Sequence, residues 1–471
     1  MRGALLHCKP DLKINLTITV YISLSILWRL WSMPSDFPFP FSYINYIGMN
    51  RLALGIILLL LLGKLIKREP LSLEFPQLKW LLFFFLGVTI SYIYNADIRS
   101  NELFDSVNSP LTTNAITGGA GLYIIFFYFF SHKNIMEIFF AICIVMAFIF
   151  YSLMLLGLSD EFVSFFGSGI TYYYNIEDKY DSFIGLLRMS FPTMDDNFFG
   201  PLASIFFMLG LYKYLRVIER EKWYNIYLLL FFILTVAVLL QTVSRSTAIV
   251  SILQLCVFSL LSAKHKSQLV ILSTVSVALL WLFMSAGLVP GYQFIMAFGE
   301  RFEIIFNNIP RYFEITGYES DLSLYSGSYQ IDNYHARILL AIASLPIDLS
   351  GWIFGTGGIY AGFVKGLHSG SHIDITNWIS QWGLITTIPL CLYLCSMMFY
   401  LLRWDETKIR VQISTTEKHD LFLIRNLGIS LLLGFLILWL CSPLFYLFWF
   451  IQGLTASIII LLRKYEKPYI A

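Results

Sequence analysis

Apolar runs long enough to cross a bilayer follow one another along nearly the whole of this chain, and that recurrence limits its fold more than any other feature. A hydrocarbon core about 30 Å thick is crossed by roughly 20 apolar residues in a helix. Twelve runs reach or approach that length: about 14–32, 48–65, 79–94, 111–131, 136–157, 198–215, 223–241, 244–262, 268–287, 376–401, 421–441 and 443–462. They are continuous and do not alternate over ten-residue segments, which excludes a membrane barrel of tilted strands. Hydrophobic residues form 57% of the sequence and charged residues 13%, far from the roughly 45–50% and 25% of soluble domains. The expected fold is an all-α polytopic membrane protein of about twelve transmembrane helices. Residues 1–471 form a single integral membrane domain, with no soluble domain, low-complexity tract or evident repeat. The first run lacks a small-residue cleavage site and reads as a retained anchor.

Lysine and arginine in short loops set orientation. With the N-terminus cytoplasmic, 22 of the 32 basic residues fall on the inner side, and every inner segment holds at least one. Both termini are then cytoplasmic. The ten basic residues left outside are Arg29, Arg51, Arg99, Arg188, Arg245, Arg301, Arg311, Arg337, Lys179 and Lys365. Arginine dominates that set, whereas lysine leads inside, and the planar guanidinium fork grips phosphate or carboxylate at two points. An anion site on the outer face follows. The alternative for any one of these residues is an arginine that snorkels to the interface or pairs with an outer carboxylate.

Two outer intervals are long. Residues 159–197 carry Tyr172, Tyr173, Tyr174 and the pair Asp195 and Asp196; residues 288–375 carry Arg301, Arg311, Arg337, a Gly355–Gly358 turn, His368 and His372. Loops of such length in compact proteins are functional or disordered, and the second is too apolar for disorder. Within it Phe294, Phe298, Phe302 and Ile305 mark one face of an interfacial helix. A second helix is expected over about Asn333–Leu345, ended by Pro346, with Arg337 near its N-terminus, where backbone N–H groups also favour an anion. Gly351, Gly355, Gly357 and Gly358 then form a flexible turn ahead of a tenth span over 376–401. The six cysteines lie in spans or the inner tail, so neither a disulfide framework nor a thiolate zinc site is implied.

Three short patterns carry a family resemblance. They are Ser244-Arg245-Ser246 opening the eighth span, Arg337 followed by Phe354-Gly355-Thr356-Gly357, and His372 with Gly383 eleven positions later. Asp195-Asp196-Asn197 before the sixth span is a softer match. Together with the layout of spans and the long loop after the ninth, these make the chain resemble the O-antigen polymerase (Wzy-type) and O-antigen ligase superfamily. One departure stands: Ile373 follows His372 where many members have Asn or Ser, and His368-Ser369 offers a competing frame without a glycine at the matching distance.

The resemblance implies a GT-C-like fold with a long, partly helical periplasmic loop between spans 9 and 10, in the bacterial inner membrane. It also implies a metal-independent, inverting glycosyltransferase without cofactor, acting on an undecaprenyl-diphosphate-linked glycan donor and an acceptor glycan. Besides the bilayer, the expected partners include a chain-length regulator protein, and no nucleic acid. A lipid-diphosphate leaving group gathers negative charge in the transition state, which fixed guanidinium groups stabilise. Arg245, Arg337 and Arg188 are the candidates, with Arg301 and Arg311 as further contacts to substrate. His372 would act as general base toward the acceptor hydroxyl, and His368 and Asp374 would contact substrate. Asp374 can instead orient His372 or cap a helix. The more specific expectation is a polymerase of lipid-linked repeat units. Its near alternative is a ligase moving polymer to lipid A-core, and an alternative of another class is a lipid-linked oligosaccharide flippase.

Overall fold

The computed structural model describes residues 19–20, 22–24, 27, 77–99, 132–155, 180–181, 186–187, 196–217, 222–241, 245–262, 267, 345–357, 374–409, 413–441 and 445–466. These are almost entirely helical. In chain order the helices are α1 (Leu78–Tyr94), the one-turn α2 (Ala96–Arg99), α3 (Lys133–Leu155), α4 (Asp196–Val217), α5 (Lys222–Gln241), α6 (Arg245–Leu261), α7 (Leu349–Phe354), α8 (Asp374–Trp382), α9 (Leu384–Arg403), α10 (Thr415–Cys441) and α11 (Phe445–Glu466). A two-residue antiparallel pair joins β1 (Tyr180–Asp181) to β2 (Leu186–Leu187). Backbone groups in lipid have no water to bond, so a helix, which satisfies them internally, is the form these apolar runs take.

Among the described residues α3, α9, α10 and α11 are long and apolar enough to cross a membrane, and α1, α5 and α6 contain shorter apolar segments. This is a membrane protein. The runs expected at 48–65, 111–131 and 268–287 lie outside the described residues, and 14–32 is described only in fragments.

Charge fixes one end of the bundle. Glu137, in the first turns of α3, accepts from the Tyr212 hydroxyl and pairs with Lys213 and Arg216 near the end of α4. Arg216 Nε also meets Asp420 Oδ2 of α10 at 3.1 Å. Lys133 Nζ lies 3.2 Å from Asp420 and 3.7 Å from Glu417. Tyr465, near the end of α11, donates to Glu417 at 3.0 Å. Arg425 of α10 donates to the carbonyls of Leu401 and Leu402 in the last turn of α9, at 2.8 and 3.1 Å. Asn426 Nδ2 reaches the Ser262 hydroxyl just beyond α6, at 3.0 Å. The starts of α3 and α10 and the ends of α4, α6, α9 and α11 therefore share this charged end. The starts of α4, α6, α9 and α11 lie at the other, which we call the turn end.

Between the ends the helices approach closely where glycine allows it, as small residues do at helix contacts in membranes. A Cβ on Gly200 of α4 would strike Thr247 of α6, one on Gly434 of α10 would strike the Gln254 amide of α6, and one on Gly210 of α4 would strike the Phe231 ring of α5. Gln254 is buried and accepts from the Ser204 hydroxyl at 2.7 Å, which ties α4 to α6 halfway along. Aromatic pairs fill the remaining space. Phe140 sets its edge on Tyr212 at 5.6 Å, Phe207 on Phe232 at 5.4 Å and Phe435 on Phe448 at 5.2 Å.

One expected element is corrected. The run 376–401, read as a single span, is two helices, α8 and α9, separated by Gly383 alone. Gly383 has φ 73° and ψ 177°, a backbone form that side-chain-bearing residues rarely adopt, and it turns the chain sharply between them. The glycine turn before it is also not the loose linker expected from composition. Gly351 lies inside α7, and Gly355–Gly357 is held by hydrogen bonds.

Candidate functional site

Four chain segments meet at the turn end: the last turn of α1, the turn after α7, and the two sides of the Gly383 break. Asp348 starts the arrangement by capping α7, its carboxylate accepting from the Gly351 amide at 3.2 Å and from the Ser350 hydroxyl. Those two bonds, the Ser350 hydroxyl first, hold the exposed Asp348 carboxyl below the usual carboxylate range. At the other end of α7 the Gly355 amide returns to the Gly351 carbonyl at 2.7 Å, with φ 64° at Gly355 closing the helix.

Next, the Thr356 amide points at the last turn of α8 and donates to the carbonyls of Ser380 and Gln381, both at 3.1 Å. The Thr356 hydroxyl adds a 3.3 Å contact to Ser380 O. These carbonyls are free because Gly383 ends α8 and removes the next helical amides from their reach. Glycine is required on both sides of this junction. A Cβ on Gly355 would come 2.6 Å from Gln381 O and from Gly383 N, and one on Gly383 would collide with the Ile353 carbonyl. Phe354-Gly355-Thr356-Gly357 and Gly383, two patterns well separated in sequence, are thus parts of one knot.

The end of α1 closes the knot from the third side. The Ser91 hydroxyl, fully buried, donates to the Phe354 carbonyl. Tyr94 stacks on the Phe354 ring with centroids 4.1 Å apart and planes 23° apart. Asn95 caps α1 through its side-chain amide, which donates to Ser91 O at 2.9 Å, and a Cβ on Gly357 would come 2.6 Å from Asn95 Cβ. None of these three residues was indicated by a motif. The available signal was a pair of small polar residues one turn apart, Ser91 and Asn95, ending an otherwise apolar run.

α8 is the amphipathic element of the site. Ile375, Trp378, Ile379 and Trp382 recur on one face, with Asn377, Ser380 and Gln381 opposite. Trp378 stacks on Phe448 of α11 at 5.1 Å and meets Phe84 of α1 at 5.7 Å. The apolar face is therefore docked on the bundle, while the backbone at Ser380 and Gln381 receives the glycine turn.

The expected site residues divide into two groups. Arg245 and Asp374 are described in backbone alone, as the first residues of α6 and α8. His372, Arg337, Arg188, Arg301, Arg311 and His368 lie outside the described residues. α6 runs to the charged end, where Ser262 bonds Asn426, so Arg245 stands at the turn end. The same holds for Asp196, which opens α4 beside α6 through the Gly200–Thr247 contact. Gly357, packed on Asn95 in the knot, and Asp374, which opens α8 at the end away from the knot, bound residues 358–373, which carry both histidines. The comparisons made with protein-family models, with curated proteins and with solved structures found no match for the chain.

Proposed function

We propose that this protein is a glycosyltransferase of the bacterial inner membrane that polymerises undecaprenyl-diphosphate-linked repeat units of a surface polysaccharide at the periplasmic face. One observation carries the reading. The described parts of all the stretches on which the family resemblance rests, namely Asp196, Arg245, Gly355–Gly357 and Gly383, gather at the turn end of the bundle. Helices that cross a membrane have two ends, and unrelated matches would scatter between them.

The charged end supports the orientation. It holds Lys133, Lys213, Arg216, Lys418, Arg425, Arg463 and Lys464, the excess of basic residues that marks a cytoplasmic side. The turn end is then periplasmic, α11 delivers the C-terminus to the cytoplasm, and the architecture is a GT-C-like bundle of about twelve spans. Lipid-linked donor glycan reaches the site from the outer leaflet. Arg245 and Arg337 hold the diphosphate, with Arg188, Arg301 and Arg311 contributing to the same anionic surface. Their guanidinium groups stabilise the charge that grows on the diphosphate as the glycosidic bond breaks. His372 takes the proton from the attacking hydroxyl of the acceptor sugar, and His368 and Asp374 contact its other hydroxyls. No step calls on a metal or cofactor.

The test is deletion and restoration of the gene in the source bacterium, reading surface lipopolysaccharide on a gel beside a lipid extract. A core bearing a single repeat unit in place of a ladder supports the polymerase. Bare core with long glycan stranded on undecaprenyl diphosphate means a ligase, and stranded single units on the cytoplasmic leaflet mean a flippase. In the restored strain Arg245→Ala, Arg337→Ala and His372→Ala each abolish product with the protein still in the membrane. Arg245→Lys fails as well, because an ammonium cannot bind two phosphate oxygens in one plane. Near-normal product from Arg337→Ala removes that residue from the site.

A further inference from the structure

We infer that the last turn of α1 is a positioning element of the site, with Ser91 and Tyr94 setting the glycine turn against α8. The inference rests on the proposed glycosyl transfer for its kinetic consequence, though not for its geometry. The turn after α7 has few side chains of its own to fix it: Gly355 and Gly357 carry none, and both hold left-handed φ values, 64° and 71°. A segment so rich in glycine keeps one conformation only when its surroundings impose it. Here the constraint comes from two sides. α8 accepts the Thr356 amide, and α1 takes the Phe354 carbonyl on the Ser91 hydroxyl and the Phe354 ring on Tyr94.

The two anchors on α1 differ in kind. Ser91 is buried and its hydroxyl is aimed at a carbonyl 263 positions away in the chain. Tyr94 is 55% exposed, so its stack on Phe354 fixes the ring without filling a core. Since Gly357, the last described residue before the histidine-bearing stretch, packs on Asn95 of α1, the register of α1 against the turn sets where the chain leaves the knot. α1 is one of the packing partners of α9, with Gly87 against the Ile385 carbonyl, so this register is fixed by a span and not by another loop. Ser91 and Tyr94 touch no reacting atom in this scheme; they act through the turn.

The experiment compares Ser91→Ala with Ser91→Thr, and Tyr94→Ala with Tyr94→Phe, in the full-length protein in detergent. Hydrogen–deuterium exchange is followed at the Thr356 and Gly383 amides, with Asp420 and Arg425 peptides as the distant reference. Ser91→Ala raises exchange at Thr356 and Gly383 about tenfold, the worth of one hydrogen bond, Tyr94→Ala raises it about as much through the lost aromatic pair, and both leave the charged end unchanged. Threonine and phenylalanine restore protection. The second reading is product from lipid-linked glycan extracted from cells lacking the gene. There the alanine variants lower kcat about tenfold with KM for the donor within about twofold. Unchanged exchange at Thr356 in both alanine variants overturns the inference, as does an equal rise at both ends of the bundle, which would mark a general loss of packing. Exchange that responds as stated while wild-type protein forms no product sustains the brace and removes the glycosyl-transfer reading instead. If Ser91→Ala fails to accumulate, the exposed Tyr94 pair decides alone.

Discussion

Glycine at position 383 serves the site by what it lacks. The backbone there holds φ 73° between two helices, and its missing Cβ leaves room for the Ile353 carbonyl and the Gly355 amide. Gly383→Ala meets both obstacles, with left-handed strain of roughly 1–3 kcal/mol and a collision that forces α7 away from α8. Gly428, within α10, is a control of the same chemistry: a Cβ there meets only Ile458 and Leu401 methyl groups at 3.3 Å, and its backbone is helical. Alanine in a helix gains up to about 1 kcal/mol over glycine, which offsets the small displacement those buried methyl groups must make, so Gly428→Ala should change stability far less than Gly383→Ala. A thermal melt in detergent should show Gly383→Ala lowered well below Gly428→Ala. Product should vanish only in the first. Equal melts for the two would mean that the turn relaxes freely and that its glycines are incidental.

At the scale of elements, the apolar runs marked the helices well wherever both ends of a run were set by polar residues. α3, α4, α5 and α6 begin and end within three residues of the runs read from the sequence, and Arg245 and Asp196 open their helices as the motifs implied. The run 376–401 misled because a hydropathy window averages over its residues, and one glycine between Trp382 and Leu384 leaves no mark on such an average. The third side of the site was hidden for a related reason. Ser91, Tyr94 and Asn95 lie more than 250 residues before the turn they hold, and pairing over that distance is decided by helix packing that no local pattern encodes. His372 and Arg337, the residues with the most chemistry, belong to stretches outside the described helices, so their reading still rests on motif spacing. α8 offers the most direct handle on this region. Trp378 joins it to Phe448 and Phe84, and Trp378→Ala removes a large aromatic from a docked face, at a cost of about 2–3 kcal/mol for a partly buried ring. Amide exchange across 374–382 should rise while α9 beyond Leu390 stays protected, with Trp378→Phe intermediate. Uniform loosening of α8 and α9 would show that Gly383 is a bend within one element and not a boundary between two.

Across the whole molecule the two ends are built differently, and the difference bears on reaction class. The charged end draws α3, α4, α10 and α11 together through Glu137, Lys213, Arg216, Asp420, Lys133, Glu417 and Tyr465, with the Asp420 side chain only 5% exposed. Breaking one partner of a buried pair leaves an uncompensated charge, at a cost of about 3–5 kcal/mol. An enzyme supplied from the outer leaflet never has to open this end. A carrier working by alternating access must open it once in every cycle, separating several such pairs together. Bridging α3 to α10 therefore distinguishes the two. Lys133→Cys with Glu417→Cys, in a background cleared of the six native cysteines, removes one cation and one anion and leaves Asp420 paired with Arg216. A cleavable bifunctional thiol reagent, long enough to replace the lost reach of the two side chains whose ends met at 3.7 Å, should then join them. With the bridge formed, glycan polymerisation in membrane vesicles should continue at the rate of the unbridged double variant. Arrest on bridging, relieved when the reagent is cleaved, would mean that the charged end moves during turnover and that the protein carries its lipid-linked substrate across the membrane.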